Sequence, residues 1–147
     1  MEDLRLRFGI PDVELACPKG GSINPSTFVG HQLVVLFLPT DLAASISELA
    51  DYASYAAELS ATDAWILNIA RKADSSLENR PECHALASDP DDKAWHAFLR
   101  LTRRREKSPR EDGAVYLFGR GGGLQGFWPG AGHSADVIRE LRQPSAW

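Results

Sequence analysis

The chain predicts an α/β fold: one mixed sheet with helices on both of its faces. Three observations carry this. Leu33–Leu38 (LVVLFL) and Trp65–Ala70 (WILNIA) are short apolar runs rich in β-branched and aromatic residues, the pattern of strands buried on both faces. Helix-period segments separate the strand candidates, which asks for crossover connections between parallel strands. Near the end, Ala114–Phe118 (AVYLF) and Leu124–Trp128 are two extended runs joined by the glycine turn Gly119–Gly123, an antiparallel hairpin.

Taken in order, residues 1–30 read as short extended pieces broken by Pro11, Pro18, Gly20, Gly21, Asn24 and Pro25. Val13 and Leu15 alternate with polar neighbours, as in a half-buried strand. The first buried strand stops at Pro39. A helix follows with Ile46, Leu49, Ala50, Ala53 and Ala57 on its apolar face. Ser45 and Glu48 form a capping-box pair that starts this helix at Ile46, with Thr40 and Asp41 as alternative caps. After the second buried strand come a helical turn at 75–80 and a short extended piece at Leu86–Ala87. Asp89 and Pro90 then stand as N-cap and first residue of a helix that buries Ala94, Trp95, Phe98 and Leu99. The last helix begins near His133 or Ser134 and buries Val137, Ile138 and Leu141. The predicted order is β, β, α, β, α, β, β, α. No repeat or linker divides residues 1–147, which read as one domain.

Composition narrows the functional classes. The chain has 147 residues, 44% hydrophobic and 24% charged, with a net charge of -4, in the range of globular domains able to bury a core. No window approaches a membrane span. The opening MEDLRLRFGIPD carries charge and a proline where a signal peptide needs an apolar run, so a cytoplasmic protein is expected. The segment 100–110 holds six basic residues (Arg100, Arg103, Arg104, Arg105, Lys107 and Arg110) and one acid, leaving the rest of the chain acidic. That distribution reads as a solvated connection or as a docking loop for an acidic partner. It does not fit nucleic-acid binding, which normally needs a basic domain.

Several phrases, in their order, resemble the peroxiredoxin-like branch of the thioredoxin fold. Gly9-Ile-Pro-Asp-Val-Glu-Leu15 resembles that family's opening strand. Gly20–Gly30 is similar to its hairpin and the segment before the central strand, and Gly30–Pro39 to the strand that delivers the active-site loop. Ala87–Asp91 and Gly113–Gly130 resemble the start of a later helix and the terminal hairpin. The resemblance spans nearly the whole chain and implies a thioredoxin-like fold, with a central mixed sheet and a C-terminal hairpin.

The resemblance also implies a cysteine at the start of the helix after Pro39. There the helix N-terminus would favour the thiolate that attacks a peroxide or disulfide. The loop reads Pro39-Thr-Asp-Leu-Ala-Ala-Ser-Ile-Ser-Glu48 and holds no cysteine. Ser45 or Ile46 takes the nucleophile's place, with Ala43 at the preceding threonine. Read as a thioredoxin, Leu42 and Ser45 replace the two cysteines. Gly113 or Ala114 stands where a proline is expected before the AVYLF strand.

The implied function is therefore a redox-inactive protein that binds a protein or peptide partner through the former active-site face. Its expected contact residues are Pro39, Thr40, Asp41, Leu42, Ser45, Gly113, Phe127, Trp128 and Pro129. An exposed Phe127-Trp128-Pro129 would join the Pro39 loop in one apolar patch, with a small-molecule pocket between loop and hairpin as a further reading. The alternative is a thiol peroxidase acting through Cys83 with His84 beside it. Cys17, before Pro18, reads as structural. His31, His84, His96 and His133 show no ligand spacing, and Gly121–Gly126 matches G-x-G-x-x-G by letter only, since no helix follows. No metal or cofactor is expected. A homodimer is a possibility the resemblance raises.

Overall fold

The computed structural model describes residues 9–18, 20–72, 77, 84–102 and 109–142. The strands are β1 (Leu15–Ala16), β2 (Ser22–Ile23), β3 (Gln32–Phe37), β4 (Ala64–Ala70), β5 (His84–Ser88), β6 (Ala114–Phe118) and β7 (Leu124–Pro129). The helices are α1 (Leu42–Ala53), α2 (Ala56–Ala61), α3 (Lys93–Leu99) and α4 (Ser134–Leu141). Short 3-10 turns occupy Pro25–Phe28 and Arg110–Asp112. One seven-stranded sheet runs in the order β2-β1-β5-β4-β3-β6-β7. β3, β4 and β5 are parallel, whereas β6 and β7 pair antiparallel beside β3, as the hairpin signal required.

Strand alternation divides the core in two. Val34, Leu36 and Leu38 face α1, α2 and α4, where they meet Leu49, Tyr52, Leu59, Val137, Ile138 and Leu141. Leu33, Val35 and Phe37 face the other way, toward α3 and its Ala94, Trp95 and Phe98. All six residues of β3 are buried, which explains an apolar run with no polar alternation. On the α3 side Phe37 sits edge-on to Trp95, Phe98 and Tyr116, at ring separations of 5.2, 5.3 and 5.9 Å.

Two helix starts differ from the sequence expectation. α1 begins at Leu42, not Ile46, because the Asp41 carboxylate accepts the Ala44 N–H at 2.9 Å and caps the helix a turn earlier. The Ser45–Glu48 capping box is absent, since both residues lie within the helix and face inward. The apolar face shifts with the start. It is Ser45, Glu48, Leu49 and Tyr52 that are buried, while Ile46 is 43% exposed. The helix also ends at Ala53, so Ala57 belongs to α2.

α3 starts at Lys93, with Asp92 at the N-cap in a left-handed conformation (φ 58°). Asp89 nonetheless does the capping: its buried carboxylate accepts the N–H groups of Ala94 and Trp95 at 3.2 and 3.0 Å. Pro90 lies outside the helix, in the turn between Asp89 and Asp92. Asp92 is thereby left free to pair elsewhere. Early on, Val13 lies outside the ladder, and only Leu15–Ala16 pairs. α4 begins at Ser134 and buries the three expected residues.

Gly113 shows what closes the sheet at the Pro39 end. Its φ is +79°, and a Cβ there would run into the carbonyl oxygen of Phe37 and lie 3.2 Å from the Pro39 nitrogen. The residue is glycine because the backbone entering β6 passes against the end of β3. A Gly113→Ala variant combines unfavourable φ with that collision. It is expected to lose about 2 kcal/mol or more, read from urea unfolding midpoints at unchanged slope.

Candidate functional site

The carboxyl ends of β3 and β4 carry the site, where open α/β sheets place their ligand crevices. β3 runs out at Phe37, and Leu38 and Pro39 lead into Thr40 and the Asp41 cap. The Thr40 N–H donates to the Glu111 carbonyl at 3.1 Å, tying the loop to the turn before β6. Ser45, one turn into α1, is 2% exposed, and its hydroxyl donates back to the Pro39 carbonyl at 2.5 Å. Neither Ser45 nor Ile46 is a free nucleophile: the first spends its proton on the backbone, and the second is an exposed hydrocarbon.

Arg110 secures this end from beneath. It is 5% exposed. Its Nη1 donates to the Leu38 carbonyl at 2.6 Å and its Nη2 to the Ile69 carbonyl at 3.5 Å, the last turns of backbone of the two central strands. The guanidinium lies over Phe37 and Trp95, 5.6 and 5.3 Å from the ring centres. Asp92 stands 3.7 Å from Arg110 Nε and takes a two-pronged bond from Arg71, Nε to Oδ1 at 3.1 Å and Nη2 to Oδ2 at 2.7 Å. The bond from Arg71 holds the Asp92 carboxyl below its ordinary range, and burial pulls the Arg110 guanidinium down while Asp92 opposes this. Arg110 therefore does not belong to a solvated basic loop. It is a buried cation that no hydrophobic pattern announces. Arg100 is exposed at the end of α3, and Arg103, Arg104, Arg105 and Lys107 lie outside the described residues.

A cavity of about 300 Å³ opens beside the loop. Pro39, Thr40, Leu42 and Ser45 form one wall, and Ala70, Arg71, Lys72 and Leu77 the other. Four of the expected contact residues thus come together, and Asp41 flanks them as the helix cap. The remaining four are not among the residues that line this cavity. Gly113 is buried against Phe37 and Pro39 and presents no surface. Phe127 and Trp128 point to opposite faces of β7. Phe127 packs on Tyr116 with ring centres 4.8 Å apart, in the α3-side core, whereas Trp128 packs on the other core and lies over Gly126. A single Phe127-Trp128-Pro129 patch is excluded by the two-residue period of a strand. This cavity lies between the Pro39 loop and the end of β4. Sequence reasoning missed Arg71, Lys72, Ala70 and Leu77, because nothing local marks residues just past a buried strand as cavity walls.

Cys83 and Trp147 lie outside the described residues, as does the expected turn at 75–80 apart from Leu77; His84 is placed only as the first residue of β5. Cys17 is a half-buried free thiol in the turn that ends β1. Among the described residues no cluster of histidine, cysteine and carboxylate side chains is suited to a metal ion, and no helix is long and apolar enough to cross a membrane. The Gly119–Gly123 segment is a hairpin turn, its ends joined by a Gly119 N–H to Gly123 carbonyl bond of 3.0 Å.

Sheet order, crossover helices and terminal hairpin together define the thioredoxin-like fold of the peroxiredoxins. Xanthomonas campestris peroxiredoxin Q superposes with a TM-score of 0.70 at 22% identity, over 89% of this chain and 90% of that one. Xylella fastidiosa PrxQ gives 0.72 at 19% identity, over 90% and 89%, and Enterococcus faecalis AhpC gives 0.69 at 12%, over 90% and 87%. No protein-family model and no curated protein sequence matches the chain.

Among the described residues Glu48 is the buried carboxylate on the α1 face. It accepts the Gly132 N–H at 2.9 Å, clasping α1 to the loop before α4. Burial raises its pKa, partly opposed by that bond and by His133, with Asp51 adding to the rise. A raised folded-state pKa means that the contribution of Glu48 to stability is complete below the ordinary carboxylate range and is lost as pH rises through the raised value. Glu48→Gln keeps the acceptor without the charge. Relative to this variant, the parent chain is expected to lose stability as pH climbs from 4 toward 7, followed by urea unfolding of both.

Proposed function

We propose that this thioredoxin-fold chain lacks the family's active-site cysteine and uses the face around Pro39–Glu48 for binding a protein or peptide partner, not for thiol chemistry. The observation that carries the reading is the state of the first turns of α1. The loop contains no cysteine, the Ser45 hydroxyl is committed to the Pro39 carbonyl, and Leu42 and Ile46 are each 43% exposed on successive turns of one helix side. Exposed aliphatic side chains four residues apart, beside an open cavity, make a surface that gains by being covered. A hydroxyl hydrogen-bonded to a carbonyl has neither the acidity nor the redox chemistry of a thiolate.

The alternative, peroxide reduction through Cys83, is separated by assay. The purified chain, given hydrogen peroxide and dithiothreitol, is expected to consume peroxide no faster than dithiothreitol alone, with Cys83→Ser and Cys17→Ser unchanged. Turnover above that background that disappears in Cys83→Ser overturns the binding reading.

A further inference from the structure

The cavity itself has a chemistry that the apolar pair on α1 does not explain. Its apolar walls are Pro39, Leu42, Ala70 and Leu77, and its charged edge is Arg71 and Lys72. Among the described residues no carboxylate lines it. Asp41 is committed to the N–H of Ala44 and Asp92 to the Arg71 guanidinium. Arg71 is thereby held in a fixed orientation at the rim. Lys72 is exposed and has no ion-pair partner among the described residues. A volume of about 300 Å³ lies at the lower end of the range for small-ligand sites. It is far too small for a folded partner. Hydrocarbon walls edged by an exposed ammonium complement one class of molecule, an acid with a compact apolar body.

We propose that this cavity is a binding site for a small organic monocarboxylate, its alkyl or aryl body against Pro39, Leu42 and Leu77 and its carboxylate on Lys72. The inference rests on the reading that this face binds and does not catalyse. Lys72 supplies the charge-assisted bond, Arg71 adds a second positive potential without leaving Asp92, and Ser45 keeps the floor polar but unreactive. The ligand undergoes no reaction.

The test uses the full chain carrying Cys17→Ser and Cys83→Ser, so that thiol chemistry cannot contribute. Hexanoate, hexylamine and hexanol are titrated while the backbone amide resonances of Thr40, Ser45, Ala70 and Lys72 are followed. Hexanoate is expected to shift these resonances saturably, hexylamine is not, and hexanol binds at least about tenfold more weakly, the scale of one charge-assisted bond. Lys72→Glu, at an exposed position where the fold is indifferent, is expected to weaken hexanoate by about tenfold or more, and Lys72→Arg to retain it. Equal response to hexylamine or hexanol, or hexanoate binding unaffected by Lys72→Glu, overturns the carboxylate site. Absence of hexanoate binding in a chain that is also inert toward peroxide sinks the acid site alone and leaves the binding face standing. Peroxide turnover through Cys83 in the parent chain removes the underlying reading instead.

Discussion

The buried guanidinium of Arg110 is the constraint on which the site depends. Two central parallel strands end side by side: the Ile69 carbonyl of β4 accepts the Leu38 N–H at 2.9 Å, and the Leu38 carbonyl, one residue past β3, takes its bond from Arg110. Unpaired buried carbonyls cost of the order of 1–3 kcal/mol each. Arg110 answers the Leu38 carbonyl from a turn 72 residues away in sequence and adds a second, longer bond of 3.5 Å to the Ile69 carbonyl. It survives burial because Phe37 and Trp95 offer their ring faces and Asp92 offers charge. Asp92 in turn is free for this because Asp89 has taken over the capping of α3. One segment, Asp89–Asp92, thus serves the helix with its first carboxylate and the strand ends with its last.

From that anchor the geometry of the loop follows. Leu38 is fixed from below, Thr40 from the Glu111 carbonyl, and Pro39 from the Ser45 hydroxyl. With its backbone held at three consecutive residues, the loop presents side chains in set directions. Leu42 and Ile46 go outward and Ser45 inward. In the thioredoxin-like arrangement this is the place where a helix N-terminus meets the sheet end, and its partial positive charge suits an anion or a thiolate. Here Asp41 is the cap, and no sulfur stands in the first turns. Positive charge is supplied instead from the opposite wall, by Arg71 and Lys72.

The fold was legible in the sequence because its signals are redundant. The six apolar residues Leu33–Leu38 and the run Trp65–Ala70, broken only by Asn68, mark two central strands, and the glycine turn fixes the hairpin. Helix starts were less legible, for a specific reason. Ser45, Glu48, Asp89 and Asp92 all belong to residue types that cap helices, and the tertiary structure recruits only some of them for it. Ser45 and Glu48 were drawn inward to satisfy a loop carbonyl and the Gly132 N–H, which displaced the apolar face of α1 by one position and left Ile46 outside. The site was half legible. The Pro39 loop follows from where β3 stops. The Arg71–Lys72 wall depends on which strand lies beside β3, and the separation of Phe127 from Trp128 follows from strand period once β7 is known to run through both.

The claim that binding replaces thiol chemistry on this face is tested most directly by chemical trapping. Exposing the chain to hydrogen peroxide with a sulfenic-acid reagent present, and reading each cysteine by mass spectrometry, gives the oxidation rate of Cys17 and Cys83 separately. The account predicts that both react no faster than a free cysteine in solution. Oxidation of either one faster by orders of magnitude contradicts it.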